Sequence, residues 1–207
     1  MVIEKFNEKL DFMFPDARCE LEYKKDYELL IATVLSAQCT DKRVNEVTRV
    51  LFSKYSLDGL KNASNKEIES IIRSCGSYTK KAQYIKEIAT SLLSDYNGQV
   101  PNNRDYLESL PGVGRKTTNV VLSNLFNEAA IAVDTHVERV SKRLRIARKK
   151  DDVLTVEKKL MKMIPKDKWS RSHHQMVLFG RYICKARVPE CSRCAFFEDC
   201  KSKDKKY

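Results

Sequence analysis

Apolar residues along this chain recur at spacings of three and four, the period of a helix with one buried face. Tyr27, Leu30, Ile31, Val34 and Leu35 fall on one such face. Asp41 is placed to cap a helix carrying Val44, Val47, Leu51 and Tyr55. Ser64 and Glu67 form a capping-box pattern ahead of Ile68, Ile71 and Ile72, with Gly76 as a C-terminal stop. Lys81 to Tyr96 predicts a longer helix on Ile85, Ala89, Leu92 and Tyr96, closed near Gly98. Leu154 to Ile164 and Ser170 to Ile183 predict two more. No stretch alternates with a period of two, and the apolar run Ala129 to Val133 is too isolated to form a strand. The expected fold class is all-α, without repeats, with only the last residues, KSKDKKY, disordered.

One interruption of this pattern carries chemistry. In LPGVGRKTTNVV, Leu110 to Val121, a short helical stretch (NRDYLESL) precedes Pro111, Gly112 and Gly114, and a helical face on Val120, Val121 and Leu125 follows. Proline fixes φ and glycine tolerates positive φ, so the stretch predicts helix, tight hairpin, helix. Lys116 then falls in the first turn of the second helix, where an ammonium opposes the helix dipole. It is either a solvated surface lysine bearing a small local penalty or an amine placed where its charged form is disfavoured. Asp134, eighteen residues on in VDTH, is placed to cap a helix THVERVSKRL with Val137, Val140 and Leu144 on its face.

Charge narrows the partners. Lys and Arg number 39 against 28 Asp and Glu, a net charge of +11 over 207 residues, enough for one large domain or two small ones. Such a balance favours a polyanion, nucleic acid first. No basic segment has a continuous apolar face for a membrane surface, and no run of eighteen apolar residues exists to span one. The N-terminus, MVIEKFNEKLDF, has no apolar signal core, so a cytoplasmic protein is expected.

Seven cysteines are an odd number and argue against a disulfide framework in a reducing compartment. Cys184, Cys191, Cys194 and Cys200 lie within seventeen residues at the spacing C-x6-C-x2-C-x5-C. Four thiolates so placed can converge on a metal centre, and sulfur selects zinc or an iron–sulfur cluster. Zinc sites more often pair two close Cys elements, whereas here there is one, which leans toward a cluster and leaves zinc open. Cys19, Cys39 and Cys75 are scattered and expected as core or partly buried thiols.

LPGVGRKT, then AVDTHVERV, then the four-cysteine spacing, together with DYELLIATVLSAQCTD (Asp26 to Asp41), resemble the endonuclease III family of helix-hairpin-helix DNA glycosylases and abasic-site lyases. The resemblance runs from about Asp26 to Cys200 in the expected order. It implies an all-α, two-lobed fold. A six-helix lobe spans about 18–128 and carries the helix-hairpin-helix at about 104–123; residues 1–17 and 129–207 form a second lobe whose loop 184–200 holds a 4Fe–4S cluster. It implies double-stranded DNA with damaged bases or abasic sites as partner, bound across a cleft by a monomer.

The same resemblance assigns roles. Lys116 attacks C1′ of the damaged nucleotide and forms a Schiff base, and β-elimination cuts 3′ to the abasic site. Asp134 lines the cleft opposite, assisting deprotonation and stabilising positive charge at C1′. Gly112, Gly114 and Arg115 meet a DNA phosphate at the hairpin, whose carbonyls can also hold a monovalent cation. Gln38 fills the gap left by the flipped nucleotide. Lys185, Arg187 and Arg193, between the cysteines, meet phosphates; the alternative is a solvated basic loop. His136 is expected to be structural, and at least one of His173 and His174 to carry no chemistry. The chain departs from the family at Gly76, Ser77 and Tyr78, where members often read Gly-Leu-Tyr; serine is too short and polar to act as that leucine's apolar wedge.

Oxidised pyrimidines are the substrates the resemblance implies. Two rivals share parts of the pattern. An adenine glycosylase of the same superfamily lacks the Schiff-base lysine and carries an extra C-terminal domain. A non-catalytic zinc-containing DNA-binding protein leaves Lys116 and Asp134 without roles.

Overall fold

The structure, a computed structural model, describes residues 3–206. Among them are α-helices, short 3-10 segments and one turn of π-helix, with no strand. The chain divides into two compact units, residues 19–126 and residues 1–18 with 127–207. Helix α1 (Ile3–Met13) belongs to the second of these.

The 19–126 unit is built around α2 (Asp26–Leu35), where every residue from Tyr27 to Leu35 is buried, not only one face. A helix apolar nearly all round belongs at the centre of a bundle, and α2 packs against α3 (Asp41–Lys54) and two helices further along the chain. Its buried polar residues are satisfied locally. Glu28 turns back to accept from the Lys24 N–H at 2.6 Å, and Thr33 Oγ1 donates to the Leu29 carbonyl at 2.7 Å. The cap of α3 is Thr40, whose hydroxyl accepts from the Arg43 N–H; Asp41 is the first helical residue instead.

Helix α4 (Leu57–Asn62) is a six-residue element that periodicity does not reveal. Helix α5 (Asn65–Ile72) has the expected reciprocal cap between Ser64 and Glu67, but it ends at Ile72, four residues before Gly76. Helix α6 (Tyr78–Tyr96) buries Ala82, Ile85, Ile88, Ala89 and Leu92 against α2, α4 and α5. It stops through left-handed Asn97 and Gly98, with the Gly98 N–H bonded to the Leu92 carbonyl at 2.8 Å. Helices α7 (Arg104–Ser109) and α8 (Arg115–Leu125) flank the hairpin, and α8 packs on α2.

In the other unit, α9 (Thr135–Arg143), α10 (Val153–Met163) and α11 (Trp169–Leu178) join α1 around Phe6, Leu10, Val137, Val140, Leu160, Met176 and Phe179. The run Ala130 to Val133 is buried without forming a strand. Helix α11 does not continue to Ile183; it passes into a π-turn over Phe179–Ile183. There Gly180 lies so close to α9 that a Cβ on it would sit 2.8 Å from the His136 Cβ. Helix α1 is tied to α11 through Asp11, which accepts from Arg171 Nε and Gln175 Nε2, both at 2.8 Å; the Gln175 bond leads in holding its carboxyl below the usual range.

Candidate active site

The hairpin before Lys116 is held from below. Leu110 and Val113 are buried in the core with Leu107 and Val121, and the Val113 N–H bonds the Leu110 carbonyl at 3.1 Å. Gly112 has φ +76°, and a Cβ there would lie 2.5 Å from Cδ2 of Tyr84. Conformation and space both require glycine at this position. Gly114 differs from the sequence expectation: its φ is −109°, and nothing lies within 4 Å of a Cβ built on it. As the N-cap of α8 it offers no side-chain acceptor to the first N–H groups of the helix. Arg115 and Lys116 follow, both exposed.

Two turns of the same unit meet at Gln38. This residue, after α2, and Ser77, before α6, are both exposed and left-handed, at φ +59° and +56°. Such backbone costs about 1–3 kcal/mol at a non-glycine residue and gathers at functional sites. A Cβ built on Gly76 would lie 3.7 Å from the Gln38 carbonyl oxygen and 3.8 Å from its Oε1, so the two turns are in contact.

Beneath them lies Lys81, only 4% exposed, which sequence reasoning missed. Its Nζ donates to the Leu35 carbonyl at 3.0 Å and the Ala37 carbonyl at 2.6 Å, closing the C-terminal end of α2. Burial holds its amine below the usual lysine range. Cys39 and Cys75, read from the sequence as scattered, have their sulfurs 3.7 Å apart in the same place.

In the other unit, Asp134 caps α9. Its Oδ1 accepts from the His136 N–H at 2.8 Å and the Val137 N–H at 2.9 Å, so the cap does not use Oδ2. His136 is half-buried against Gly180, and desolvation pushes its pKa below the usual value. Burial takes His174 further, down to about 4, while His173 beside it is 4% exposed.

Cys184, Cys191, Cys194 and Cys200 are unbridged and all border one cavity, with Leu144, Phe179 and Ile183 on its apolar side. The loop is anchored by Phe196, fully buried with ring centroids 5.4 Å from both Phe6 and Phe179. Two arginines one turn apart on α9 fasten its start. Arg139 donates to the carbonyls of Gly180 and Cys184, and Arg143 to those of Lys185 and Ala186 and, at 3.5 Å, to Cys184 Sγ. Burial raises the Cys184 and Cys194 thiols, Cys194 to about 11. Among the described residues, no three His, Cys, Asp or Glu side chains are grouped to hold a single metal ion. Glu190 pairs with Lys185 and, at 2.7 Å, with Arg193, so two of the three candidate phosphate contacts share one carboxylate within the loop; Arg187 is exposed.

Comparison with known proteins agrees with this architecture. The family description "HhH-GPD superfamily base excision DNA repair protein" matches residues 31–166. Endonuclease III of Bacillus subtilis (strain 168) is 49% identical over 205 residues, 99% of this chain and 94% of its own. The chain belongs to the endonuclease III family. Another member, from Haemophilus influenzae, is 44% identical over 92% of this chain and 90% of its own length. An endonuclease III solved as a trapped covalent intermediate with DNA is 51% identical, covers 97% of this chain and 96% of its own, and superposes with a TM-score of 0.92. Among the described residues no helix is long and apolar enough to cross a membrane.

Proposed function

We propose that this base-excision repair DNA glycosylase and abasic-site lyase uses Lys116 as its nucleophile and Asp134 as the carboxylate that assists it, on duplex DNA carrying damaged bases or abasic sites, oxidised pyrimidines among them. The observation that carries the lysine is its placement. It is exposed, one residue inside α8, at the end of a hairpin whose geometry Gly112 and Tyr84 fix. Further support is that a relative 51% identical to this chain has been caught covalently joined to DNA.

The reaction needs no redox partner. Neutral Nζ attacks C1′, the bond from C1′ to the base breaks, and the base leaves with its electron pair and gains a proton. The secondary amine's lone pair then forms the C1′=N bond as the C1′–O4′ bond breaks; O4′ leaves with the electron pair and gains a proton, the sugar ring opens, and the imine results. Loss of a C2′ proton then expels the 3′ phosphate, and water releases the lysine. Asp134 is suited to withdraw protons or to stabilise charge at C1′, since Oδ1 alone makes the cap. The open space over Gly114 leaves room for a phosphate to approach the start of α8. Gln38 and Ser77, displayed on contacting left-handed turns, are placed to enter a duplex from which a nucleotide has been flipped.

Cys184, Cys191, Cys194 and Cys200 hold a 4Fe–4S cluster in this reading. Their donor chemistry fits: four thiols border one cavity with an apolar side, and soft sulfur ligands suit an iron–sulfur cluster. When bound, the cluster supplies four strong bonds that fasten the loop carrying Lys185, Arg187 and Arg193. The experiment is cleavage of a duplex with one abasic site, beside iron and sulfide analysis. Cleavage lost in Lys116→Gln, and iron and sulfide in near-equal amounts lost with Cys194→Ser, are expected. Full cleavage by the glutamine variant, or active protein holding zinc alone, contradicts the assignments.

A further inference from the structure

We propose that Cys39 and Cys75 are an oxidation site at which hydrogen peroxide closes a disulfide, tying the turn that carries Gln38 to the turn that carries Ser77 and slowing base removal. The two thiols are 36 residues apart in sequence, and their sulfurs lie 3.7 Å apart. Neither belongs to the four-cysteine loop, and the roles proposed for Lys116 and Asp134 use neither. Their exposures differ: Cys75 is 0% exposed, whereas Cys39 is only partly buried, next to exposed Gln38.

That difference divides the labour. Cys39 meets the oxidant. Its sulfur takes one oxygen as the O–O bond breaks, giving a sulfenic acid and water. Cys75 Sγ then attacks that sulfur; the S–S bond forms, the S–O bond breaks, and the oxygen leaves as a second water. Two thiols lose two electrons and the peroxide gains them. Burial, then the contact with Cys39, push the Cys75 thiol up to about 12, which slows this second step, so the proton must pass to the departing oxygen as the S–S bond forms. The positive charges of Lys81 and Arg43 act on Cys75 in the opposite sense, favouring sulfur with negative charge in the step.

Closing the bond brings the sulfurs from 3.7 Å to about 2.05 Å. The carbonyls of Leu35 and Ala37 are gripped by Lys81, so the α2 side of the turn is held. The displacement therefore falls on residues 38–39 and 75–77, where Gln38 already rests against Gly76. A misplacement of about 1 Å at a positioning group can cost on the order of 10²-fold in rate. The effect on base removal rests on the reading of Gln38 given above; the disulfide rests on thiol geometry alone.

The test treats the cluster-loaded enzyme with hydrogen peroxide, alkylates the remaining thiols, and maps unreduced peptides by mass spectrometry. Iron and sulfide are assayed alongside, so that only samples with an intact cluster are compared. A Cys39–Cys75 linked peptide, base removal from duplex DNA reduced about tenfold or more, and recovery with dithiothreitol are expected. Cys75→Ala, or Cys39→Ala where the buried substitution does not fold, should give no link and no peroxide-dependent loss. Both thiols alkylated after peroxide, Cys39 taken to sulfinic acid beside a free Cys75, or a complete link with base removal unchanged, each overturns the proposal. Mapping the link requires no catalysis, so it is separable from failure of the Lys116 assignment, which would show in the reduced enzyme.

Discussion

Replacing Gly112 and Gly114 separately by alanine divides two tasks that the hairpin combines. At Gly112 the φ of +76° places any side chain in left-handed backbone, and the new Cβ would lie 2.5 Å from Tyr84 Cδ2. The backbone cost is about 1–2 kcal/mol. Moving the ring by the ~1 Å that ordinary contact requires adds about 1–3 kcal/mol, since Tyr84 is partly buried and packed against the core. For a chain of this size each kcal/mol shifts Tm by about 2–4 °C, so Gly112→Ala should lower the Tm of the chain by on the order of 10 °C. At Gly114 the φ is −109° and a Cβ meets nothing within 4 Å, so alanine should leave Tm nearly unchanged. It would instead occupy the space through which a phosphate reaches the helix start. Loss of one charge-assisted hydrogen bond is about 1.5–3 kcal/mol, roughly ten- to hundred-fold in affinity. Thermal unfolding and DNA titration at fixed salt read the two effects. Equal Tm losses in both variants, or Gly114→Ala binding DNA as tightly as the parent, would refute this division.

Asp134→Asn keeps an oxygen acceptor for the His136 and Val137 N–H groups, so its stability should stay near that of the parent while base removal falls by about 10²-fold or more; Asp134→Ala should lose in addition about 1 kcal/mol of cap energy in a denaturant titration. Glu190→Gln releases Lys185 and Arg193, so DNA affinity should rise and the slope of log affinity against log salt should steepen by roughly one to two; an unchanged slope would show that neither cation meets a phosphate. His174 titrates near 6.5 when unfolded and about 4 when folded, so the unfolded chain binds more protons between those values. Its contribution is therefore full above pH 6.5 and is lost as pH falls toward 4, by up to about 3 kcal/mol, and His174→Gln should flatten that part of the urea-midpoint profile.

Features set by neighbours in the chain were legible in the sequence. Period-3.6 apolar positions disclosed α2, α3, α5 and α6, and the Ser64–Glu67 cap is local chemistry across three residues. Asp134 before Thr135 announced a helix start for the same reason. Features that depend on the fold were not. Helix α4 has two buried residues, Leu57 and Leu60, too few to display a period. The π-turn after Leu178 lets Gly180 approach His136, 44 positions earlier in the chain. Lys81 resembled any basic residue on a helix, yet it is buried because the carbonyls of Leu35 and Ala37, at and just past the end of α2 and 46 and 44 residues away, accept its hydrogen bonds. The meeting of Cys39 with Cys75 and the joint pairing of Lys185 and Arg193 with Glu190 likewise required coordinates. Gly112 and Gly114 looked alike in PGVG, and only φ and the Tyr84 ring distinguish them.

The central claim, that Lys116 attacks the sugar, is tested most directly by borohydride reduction of the enzyme on duplex DNA containing one abasic site. An imine between Nζ and C1′ is reduced to a stable secondary amine, joining protein and DNA permanently. Expected are a covalent complex with the parent enzyme, a DNA-bearing peptide whose modified residue is Lys116, and no complex with Lys116→Gln. A complex formed by the glutamine variant at the parent's level, or a modified residue elsewhere in the chain, would contradict it.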